Sequence, residues 1–230
     1  MKIQIFMDTI CGWCFIGSQR LQSALKKINK SCELLYIPFQ LNPTMPEEGM
    51  NRNEYVNNKF GSVENAKLMY DNMIAEAKKE NLSFNLGKIQ KTPNTILSHI
   101  LIDVARNHHV QNEIIFQIFS DYFIHGVDIG SKDNLIKIGA NHGIKEEELI
   151  REFELKTNKT KINKMDQIGR HMGITGVPFY VFNEKILLSG AQPTNVLMQA
   201  IEQAKLKKKI LKKKLFVLKK KKLIKKIFQL

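Results

Sequence analysis

Two cysteines separated by two residues lie between a strand pattern and a helix pattern, and this arrangement constrains the fold more than any other feature. Residues 2–7 alternate largely between apolar and polar character, which predicts a short, mostly buried strand. After the Cys11–Cys14 motif, Leu21, Leu25 and Ile28 recur at the spacing of one helix face. Both cysteines are therefore predicted at the N-terminus of a helix that directly follows a strand.

A thiol at the start of a helix has a definite chemistry. Backbone N–H groups lack partners there and the helix dipole adds positive charge, so a thiolate is stabilised. We predict that Cys11 is the nucleophile that attacks a disulfide and that Cys14, one turn later, is the resolving thiol. Trp13 lies between them and is predicted either to form part of an apolar docking surface for substrate or to pack over the helix start.

Zinc binding is the main alternative chemistry for such a pair. A structural zinc site needs four ligands, yet Cys32 is isolated beside a strand pattern. His108 and His109 are adjacent in the sequence, so they face different sides of a helix. We therefore predict redox chemistry with no resident metal or cofactor, and we interpret Cys32 as a small buried apolar residue. A zinc site and a purely structural pair remain the less favoured alternatives.

The order of the remaining patterns predicts an α/β protein. Residues 33–37 form a second buried strand pattern, so the chain begins with a strand–helix–strand unit. Strand patterns return at 177–182 and 186–188 as a hairpin, and a helix follows. We predict a thioredoxin-like fold with an inserted all-helical domain. The predicted domains are residues 1–48 with 173–204 for the thioredoxin-like part and 49–172 for the insertion.

The interval from about residue 50 to 172 has helical periodicity and no strand signal. The first helix is predicted around an apolar stripe of six residues, which are Val63, Leu68, Met69, Met73, Ile74 and Ala77. Further helices are predicted after the Thr92–Thr95 segment, over 114–123, from Ser131 to near Gly143, and from 146 to about 171.

Pro178 opens the later strand pattern, after a loop bounded by Gly173 and Gly176. A proline cannot donate to a strand ladder, so it belongs at the start or edge of a strand. A cis bond before Pro178 would turn the backbone of Val177 outward, where an extended substrate pairs with it. Only about 5–6% of such bonds are cis, so this pattern by itself leaves the isomer open.

Several motifs, taken together, resemble a known family. They keep their order and approximate spacing over about residues 3 to 204, and they resemble the DsbA-like thioredoxin-domain family in its FrnE-like branch, which is related to 2-hydroxychromene-2-carboxylate isomerase and kappa-class glutathione transferase. The motifs are Asp8-x-x-Cys11-Gly12-Trp13-Cys14-Phe15-Ile16-Gly17, Pro38-Phe39-Gln40-Leu41-Asn42-Pro43, Asn94-Thr95-x-x-x-Ser98-His99, Gly173-Ile174-x-Gly176-Val177-Pro178-Phe179 and Gly190-Ala191-Gln192-Pro193.

The resemblance implies a nucleophile at Cys11, a resolving thiol at Cys14, a cis-proline at Pro178 and a helical lid over the thiols. It also implies that Asn94 and His99 lie on that lid and face the cleft, where they are candidates for substrate binding. For His99, a buried histidine with a structural hydrogen bond is the alternative.

The sequence departs from the family pattern after the first cysteine. The family commonly has proline at that position, and this chain has Gly12. Related glutathione-dependent isomerases and transferases carry serine at the position of the first cysteine. The presence of both Cys11 and Cys14 therefore favours redox chemistry by a dithiol.

The basic excess of the chain lies in residues 205–230. The formal net charge is +14, from 36 basic and 22 acidic residues, but this tail holds 13 lysines and no acid. Residues 1–204 are therefore close to neutral, with 23 basic and 22 acidic residues. If the tail is helical, Ile210, Val217 and Ile224 share one face, which is typical of helices that lie on anionic membrane surfaces. Binding to nucleic acid is the second interpretation of the tail, and an extension without function is the third.

The predicted function is that of a thiol-disulfide oxidoreductase or isomerase. Its substrates would be proteins or small molecules that contain disulfides or thiols, with glutathione as a potential co-substrate. The sequence has no apolar run typical of a secretory signal or a membrane-spanning helix, so we expect a cytoplasmic protein. The alternatives are a glutathione-dependent isomerase or transferase of small aromatic compounds, and a surface-binding protein that acts through its basic tail.

Overall fold

The computed structural model describes residues 1–29 and 31–206, so the predictions for the basic tail lie almost entirely outside the described residues. Four strands form the main sheet, in the order β2-β1-β5-β6, and a separate pair is formed by β3 and β4. The strands are β1 (Lys2–Met7), β2 (Glu33–Pro38), β3 (Met50–Asn51), β4 (Lys91–Thr92), β5 (Phe179–Phe182) and β6 (Ile186–Ser189).

The strand–helix–strand start and the closing hairpin are both confirmed. Strand β1 pairs with β2 in parallel, which is the geometry that a helical crossover between them requires. Strand β5 pairs antiparallel with β1 on one side and with β6 on the other. In the turn of the hairpin, Asn183 and Glu184 adopt positive φ angles of 48° and 60°.

Helix α1 (Gly12–Lys27) connects β1 with β2. Most of the chain between β2 and β5 is helical, and its helices are α2 (Arg52–Phe60), α3 (Val63–Lys79), α4 (Ile96–Asn107), α5 (Gln111–Ser120), α6 (Lys132–Asn141), α7 (Glu146–Glu154) and α8 (Lys156–His171). After β6, residues 194–206 form a further helix, α9. Helix α6 begins after Ser131 and ends before Gly143, whose φ of +82° stops it, as predicted. The fold class is confirmed, and the division into residues 1–48 with 173–204 and 49–172 stays a prediction about domains.

Two details of the helical interval differ from the predictions. Strands β3 and β4 interrupt it, although no strand signal was expected there. They pair Met50 with Thr92 and Asn51 with Lys91, and two residues per strand are too few to give an alternating pattern. The pairing is therefore set by tertiary structure.

The predicted apolar stripe of α3 is also partly wrong. Val63, Leu68 and Met69 are exposed, at 51%, 79% and 57% of their surface. The buried residues of α3 are instead Ala66, Met73 and Ala77. Met73 and Ala77 pack with Ile16 of α1, whereas Ala66 packs with Tyr55 and Val56 of α2, and the larger apolar residues are left on the outside.

The sheet separates two layers of apolar packing. On one face, the buried residues include Ile3, Ile5, Tyr180 and Phe182, which pack with α1, α9 and the helices of the central interval. On the other face, a smaller cluster contains Phe6, Ile37, Phe39, Ile174 and Val181, and Met165 of α8 packs against it. The alternation along β1 and β5 assigns neighbouring residues to opposite layers. Both cysteines of the motif lie in the larger layer.

Candidate active site

Both cysteines of the motif lie where the sequence pattern predicts them. Cys11 immediately precedes α1 and has an extended backbone, with φ −95° and ψ 106°. Its carbonyl accepts hydrogen bonds from the backbone N–H groups of Cys14, at 2.9 Å, and Phe15, at 3.3 Å. Its own N–H donates to the carbonyl of Asp8 at 3.1 Å. The connection from β1 to α1 is thus fixed by main-chain bonds on both sides of Cys11.

The two thiols are free and have different environments. Cys11 retains 6% of its surface, whereas Cys14 is fully buried. Burial raises the pKa of the Cys14 thiol well above its ordinary value, and the hydrogen bond and charge of Cys11 act in the same direction. Cys14 is therefore held as a neutral thiol in this form of the protein.

The loop before β5 contacts the first thiol directly. The peptide bond between Val177 and Pro178 is cis, the isomer that the resemblance implies. The Cys11 thiol donates a hydrogen bond to the carbonyl oxygen of Val177, with 3.5 Å between Sγ and O. Tertiary structure thus brings together Cys11, Cys14 and Pro178, which were predicted to be catalytic, and Val177, which was predicted to bind substrate.

Trp13 and Asn94, also predicted to bind substrate, make mainly structural contacts. Trp13 is partly buried and packs against the core cluster that contains the cysteines. The Asn94 side chain is committed at both ends, because it donates to the Met45 carbonyl at 2.7 Å and accepts from the N–H of Ile96 at 3.0 Å. It therefore fixes the start of α4. Contact of either residue with a substrate stays a prediction.

His99 is fully buried and pairs with a carboxylate that the sequence analysis left without a role. Its Nε2 lies 3.3 Å from Oδ1 of Asp8, and both side chains are inaccessible to solvent. The other carboxylate oxygen of Asp8 accepts from the N–H of Leu41 at 2.7 Å. This arrangement fits the structural alternative for His99. An acidic residue directly after a buried strand and three residues before Cys11 was the available signal for Asp8.

Helix α3 is attached to α1 beside the cysteines through an arginine that the sequence analysis did not single out. Arg20 of α1 donates to Glu76 at 2.5 Å and to Glu80 at 2.7 Å, both at the end of α3. It also donates to the carbonyl of Ala191 at 2.7 Å. The Arg20 side chain is 8% exposed, so these partners stabilise an almost buried charge.

The described part of the chain offers no evident metal site. Within residues 1–29 and 31–206, no three His, Cys, Asp or Glu side chains are grouped so that they could hold a metal ion. Over the same ranges, no helix has both the length and the apolar character needed to cross a membrane.

Comparison with known proteins identifies the family. The sequence profile of the DSBA-like thioredoxin domain matches residues 2–202 of the chain. The chain belongs to the DSBA-like thioredoxin domain family. The cysteine pair, the cis-proline loop and the four-stranded sheet described above all lie within the matched residues.

Relatives of this DSBA-like chain match it over most of its length. Uncharacterized protein YwbO of Bacillus subtilis is 23% identical over 210 residues, which are 90% of this chain and 99% of that protein. The crystal structure of probable DsbA oxidoreductase SCO1869 from Streptomyces coelicolor superposes with a TM-score of 0.79, at 24% identity, over 89% of both chains. The cytosolic disulfide reductase DsbM from Pseudomonas aeruginosa, solved with GSH, gives 0.62 at 13% identity, over 92% of this chain and 100% of that one. These structural likenesses support the fold.

Gly12, where this DSBA-like chain departs from the family pattern, has a close neighbour on α3. A Cβ atom at Gly12 would lie 2.4 Å from Sδ of Met73 and 3.1 Å from the ring of Phe84. The absence of a side chain at Gly12 therefore lets Met73 pack directly onto the turn between the cysteines. In this family member, α3 covers the dithiol motif at that point.

Proposed function

We propose that this protein is a thiol-disulfide oxidoreductase that works through the Cys11–Cys14 dithiol. The observation that carries the proposal is the placement of a slightly exposed thiol at the start of α1, beside the cis-proline loop, with a second thiol buried one turn further on. A helix N-terminus stabilises an anion, and α1 has no acidic residue in its first turn to oppose this effect.

The proposed reaction has two exchange steps. The Cys11 thiolate attacks one sulfur of a substrate disulfide, a mixed disulfide forms, and the other substrate sulfur leaves and takes up a proton. Cys14 then gives up its proton and attacks the Cys11 sulfur. The Cys11–Cys14 disulfide forms, and the second substrate sulfur leaves as a thiol. Two electrons pass from the protein to the substrate, and an external dithiol returns the protein to its starting form.

Val177 supports substrate binding in this scheme. Its carbonyl accepts from the Cys11 thiol in the dithiol form, and a thiolate has no proton to donate. Ionisation of Cys11 therefore frees this carbonyl to accept from a backbone N–H of an extended substrate. Ionisation of Cys11 and the binding of a peptide are thus linked through the carbonyl oxygen of Val177.

Reduction of insulin disulfides, with dithiothreitol as the external dithiol, tests the proposal. We expect Cys11→Ala to reduce the rate to the level of dithiothreitol alone, because the attacking sulfur is lost. Cys14→Ser should accumulate mixed disulfides, since the resolving sulfur is lost. Cys32→Ala is the matched control, because Cys32 lies outside the motif, and it should match the wild-type rate. Equal rates for wild type and Cys11→Ala would refute Cys11 as the nucleophile.

A glutathione-dependent isomerase or transferase is the second candidate, because the structure of a 2-hydroxychromene-2-carboxylate isomerase has the same fold, with a TM-score of 0.67. The variant Cys14→Ser separates the candidates. A dithiol exchanger loses turnover in this variant, whereas an enzyme that uses glutathione as its only thiol keeps it.

We also propose the cytoplasm as the compartment, where closely spaced cysteines are more often catalytic than structural.

A further inference from the structure

A buried hydroxyl group in the sheet has no partner among the residues that the structure describes. Tyr180 is fully buried, and its Oη makes no hydrogen bond to any of them. Nε of Arg106 is the other buried side-chain polar atom in this condition within the described ranges. Buried tyrosine hydroxyls usually have a hydrogen-bond partner, so an exception needs a reason.

Strand geometry places this hydroxyl on the face of the sheet that carries the cysteines. Tyr180 pairs with Ile5 of β1, and its side chain belongs to the same core cluster as Cys11 and Cys14. Its neighbour Val181 belongs to the cluster on the opposite face. Because side chains alternate along β5, the ring of Tyr180 is directed toward α1.

The contact with α1 is close to the resolving thiol. A Cβ atom at Gly17 would lie 2.3 Å from Oη of Tyr180. Gly17 follows Cys14 by three residues in α1, and Cβ positions three residues apart on a helix are about 5–6 Å from each other. The hydroxyl therefore lies within about 8 Å of the Cβ atom of Cys14, near the same side of the helix. A side chain at Gly17 would occupy the position of the hydroxyl.

Both the hydroxyl and the Cys14 sulfur are protonated in the dithiol form, and no hydrogen bond joins them there. Burial raises the pKa of Tyr180 well above its ordinary value, with the charge of Cys14 as the next cause, so the hydroxyl keeps its proton. A neutral thiol is a weak acceptor, whereas a thiolate accepts a strong, charge-assisted hydrogen bond. The dithiol form holds Cys14 neutral and offers the hydroxyl little to bind.

We propose that Tyr180 is the hydrogen-bond donor that stabilises the Cys14 sulfur while it carries negative charge during thiol-disulfide exchange. This inference rests on the proposed function. In the resolving step, Cys14 gives up its proton and attacks the Cys11 sulfur, and the substrate sulfur leaves and takes up a proton. In the reverse direction, a substrate thiolate attacks Cys11 and Cys14 leaves as the anion. Tyr180 donates to the same sulfur in both directions.

The variant Tyr180→Phe removes one oxygen atom and preserves the ring. Because that oxygen has no partner among the described residues in the dithiol form, we expect thermal stability to be unchanged or slightly higher. A single-turnover experiment with a fluorescent glutathione disulfide separates the two steps. Attack by Cys11 should keep its wild-type rate. Resolution by Cys14 should be slowed about 10-fold or more, which corresponds to loss of one hydrogen bond to a charged group, and the mixed disulfide should accumulate.

Tyr122→Phe is the matched control. Tyr122 is also buried, but it lies on the helical part of the chain and its hydroxyl donates to the carbonyl of Lys91 at 3.4 Å. Its removal should leave both steps unchanged. Resolution at the wild-type rate in an otherwise active Tyr180→Phe variant would overturn this inference alone. A wild-type protein without exchange activity would overturn the proposed function and this inference together.

Discussion

The two cysteines of the dithiol motif have different roles because their surroundings differ over a short distance. Cys11 lies before the first turn of α1 and contacts the Val177 carbonyl, whereas Cys14 lies inside the core. The same helix start thus presents one sulfur to a substrate and protects the other. Asp8, three residues before Cys11, is buried against His99 of α4, and the neighbouring residues Thr9 and Ser98 pair through buried hydroxyls at 2.8 Å.

The buried state of Cys14 predicts the pH dependence of the second exchange step. Only the thiolate attacks, and burial keeps the pKa of Cys14 well above its ordinary value. We therefore expect the resolution rate to increase with pH throughout the neutral and mildly alkaline range. Single-turnover kinetics in the Cys32→Ala background measures it. A rate that levels off below neutral pH would contradict this assignment.

Gly12 and Met73 are expected to be energetically coupled. The backbone suits proline at position 12, because it is the first helical residue and Cys11 before it is extended. The side chain of Met73 occupies the space that the ring of a proline at position 12 would need. Gly12→Pro should therefore cost about 1–3 kcal/mol of unfolding free energy.

A double-mutant cycle measures this coupling. In a Met73→Ala background the ring has room, so Gly12→Pro should cost less than it does in the wild type, by about 0.5–3 kcal/mol. Urea unfolding of the four proteins gives the required free energies. Equal costs in both backgrounds would show that Met73 does not oppose the ring.

At the scale of elements, the attachment of α3 to α1 determines how the motif is covered. Phe15 of α1 stacks on Phe84, with ring centroids 5.6 Å apart, and on Phe119 of α5, at 5.0 Å. Arg20 adds the charged part of the attachment through Glu76 and Glu80. The face of α3 that meets α1 is lined by small or flexible residues, so the two helices approach closely beside the dithiol.

We expect loss of the Arg20 charge to destabilise the protein far more than loss of an exposed ion pair. The variant Arg20→Met keeps the apolar stem but removes the ion-pair partner of the mostly buried Glu80 carboxylate and leaves Glu76 with Lys79 alone, at a cost of about 2–4 kcal/mol. Lys67→Met is the matched control, because the pair of Lys67 with Asp71 is largely exposed and should contribute less than about 0.5 kcal/mol. Urea unfolding measures both, and similar small losses would contradict the expectation.

At the scale of the whole molecule, charge is distributed very unevenly. Residues 1–204 are nearly neutral, and the 13 lysines of the tail supply the remainder of the net charge. The redox chemistry proposed above uses only residues of the nearly neutral part. The tail and the dithiol are therefore expected to act independently.

Removal of residues 207–230, which leaves the described part of α9 whole, tests this independence. The truncated protein should keep its insulin-reduction rate. It should lose binding to vesicles of phosphatidylglycerol, since each lysine near an anionic surface contributes about 1 kcal/mol. Binding of the full chain should weaken as salt increases and be absent on phosphatidylcholine. Undiminished vesicle binding after truncation would refute the role of the tail, and a parallel RNA-binding assay tests the nucleic-acid interpretation.

Features with local causes could be predicted from the order of the residues. Alternation predicted β1, two strand-forming runs on either side of a short turn predicted the hairpin, helical spacing after Cys14 predicted α1, and Gly143 marked the end of α6. The dithiol at a helix start follows from those adjacent patterns. Val177 and Pro178 required the family resemblance, because proline by itself does not specify the isomer of its bond.

The side chains that surround the two thiols come from segments far apart in the chain, so their packing could not be predicted. Met73 reaches Gly12 across about sixty residues of chain, and Tyr180 reaches α1 from the other end of the sequence. His99 pairs with Asp8, and the larger apolar residues of α3 lie on its exposed face. Periodicity reports which residues of one element share a face. It does not report which element that face will meet, because that depends on packing between segments far apart in the chain.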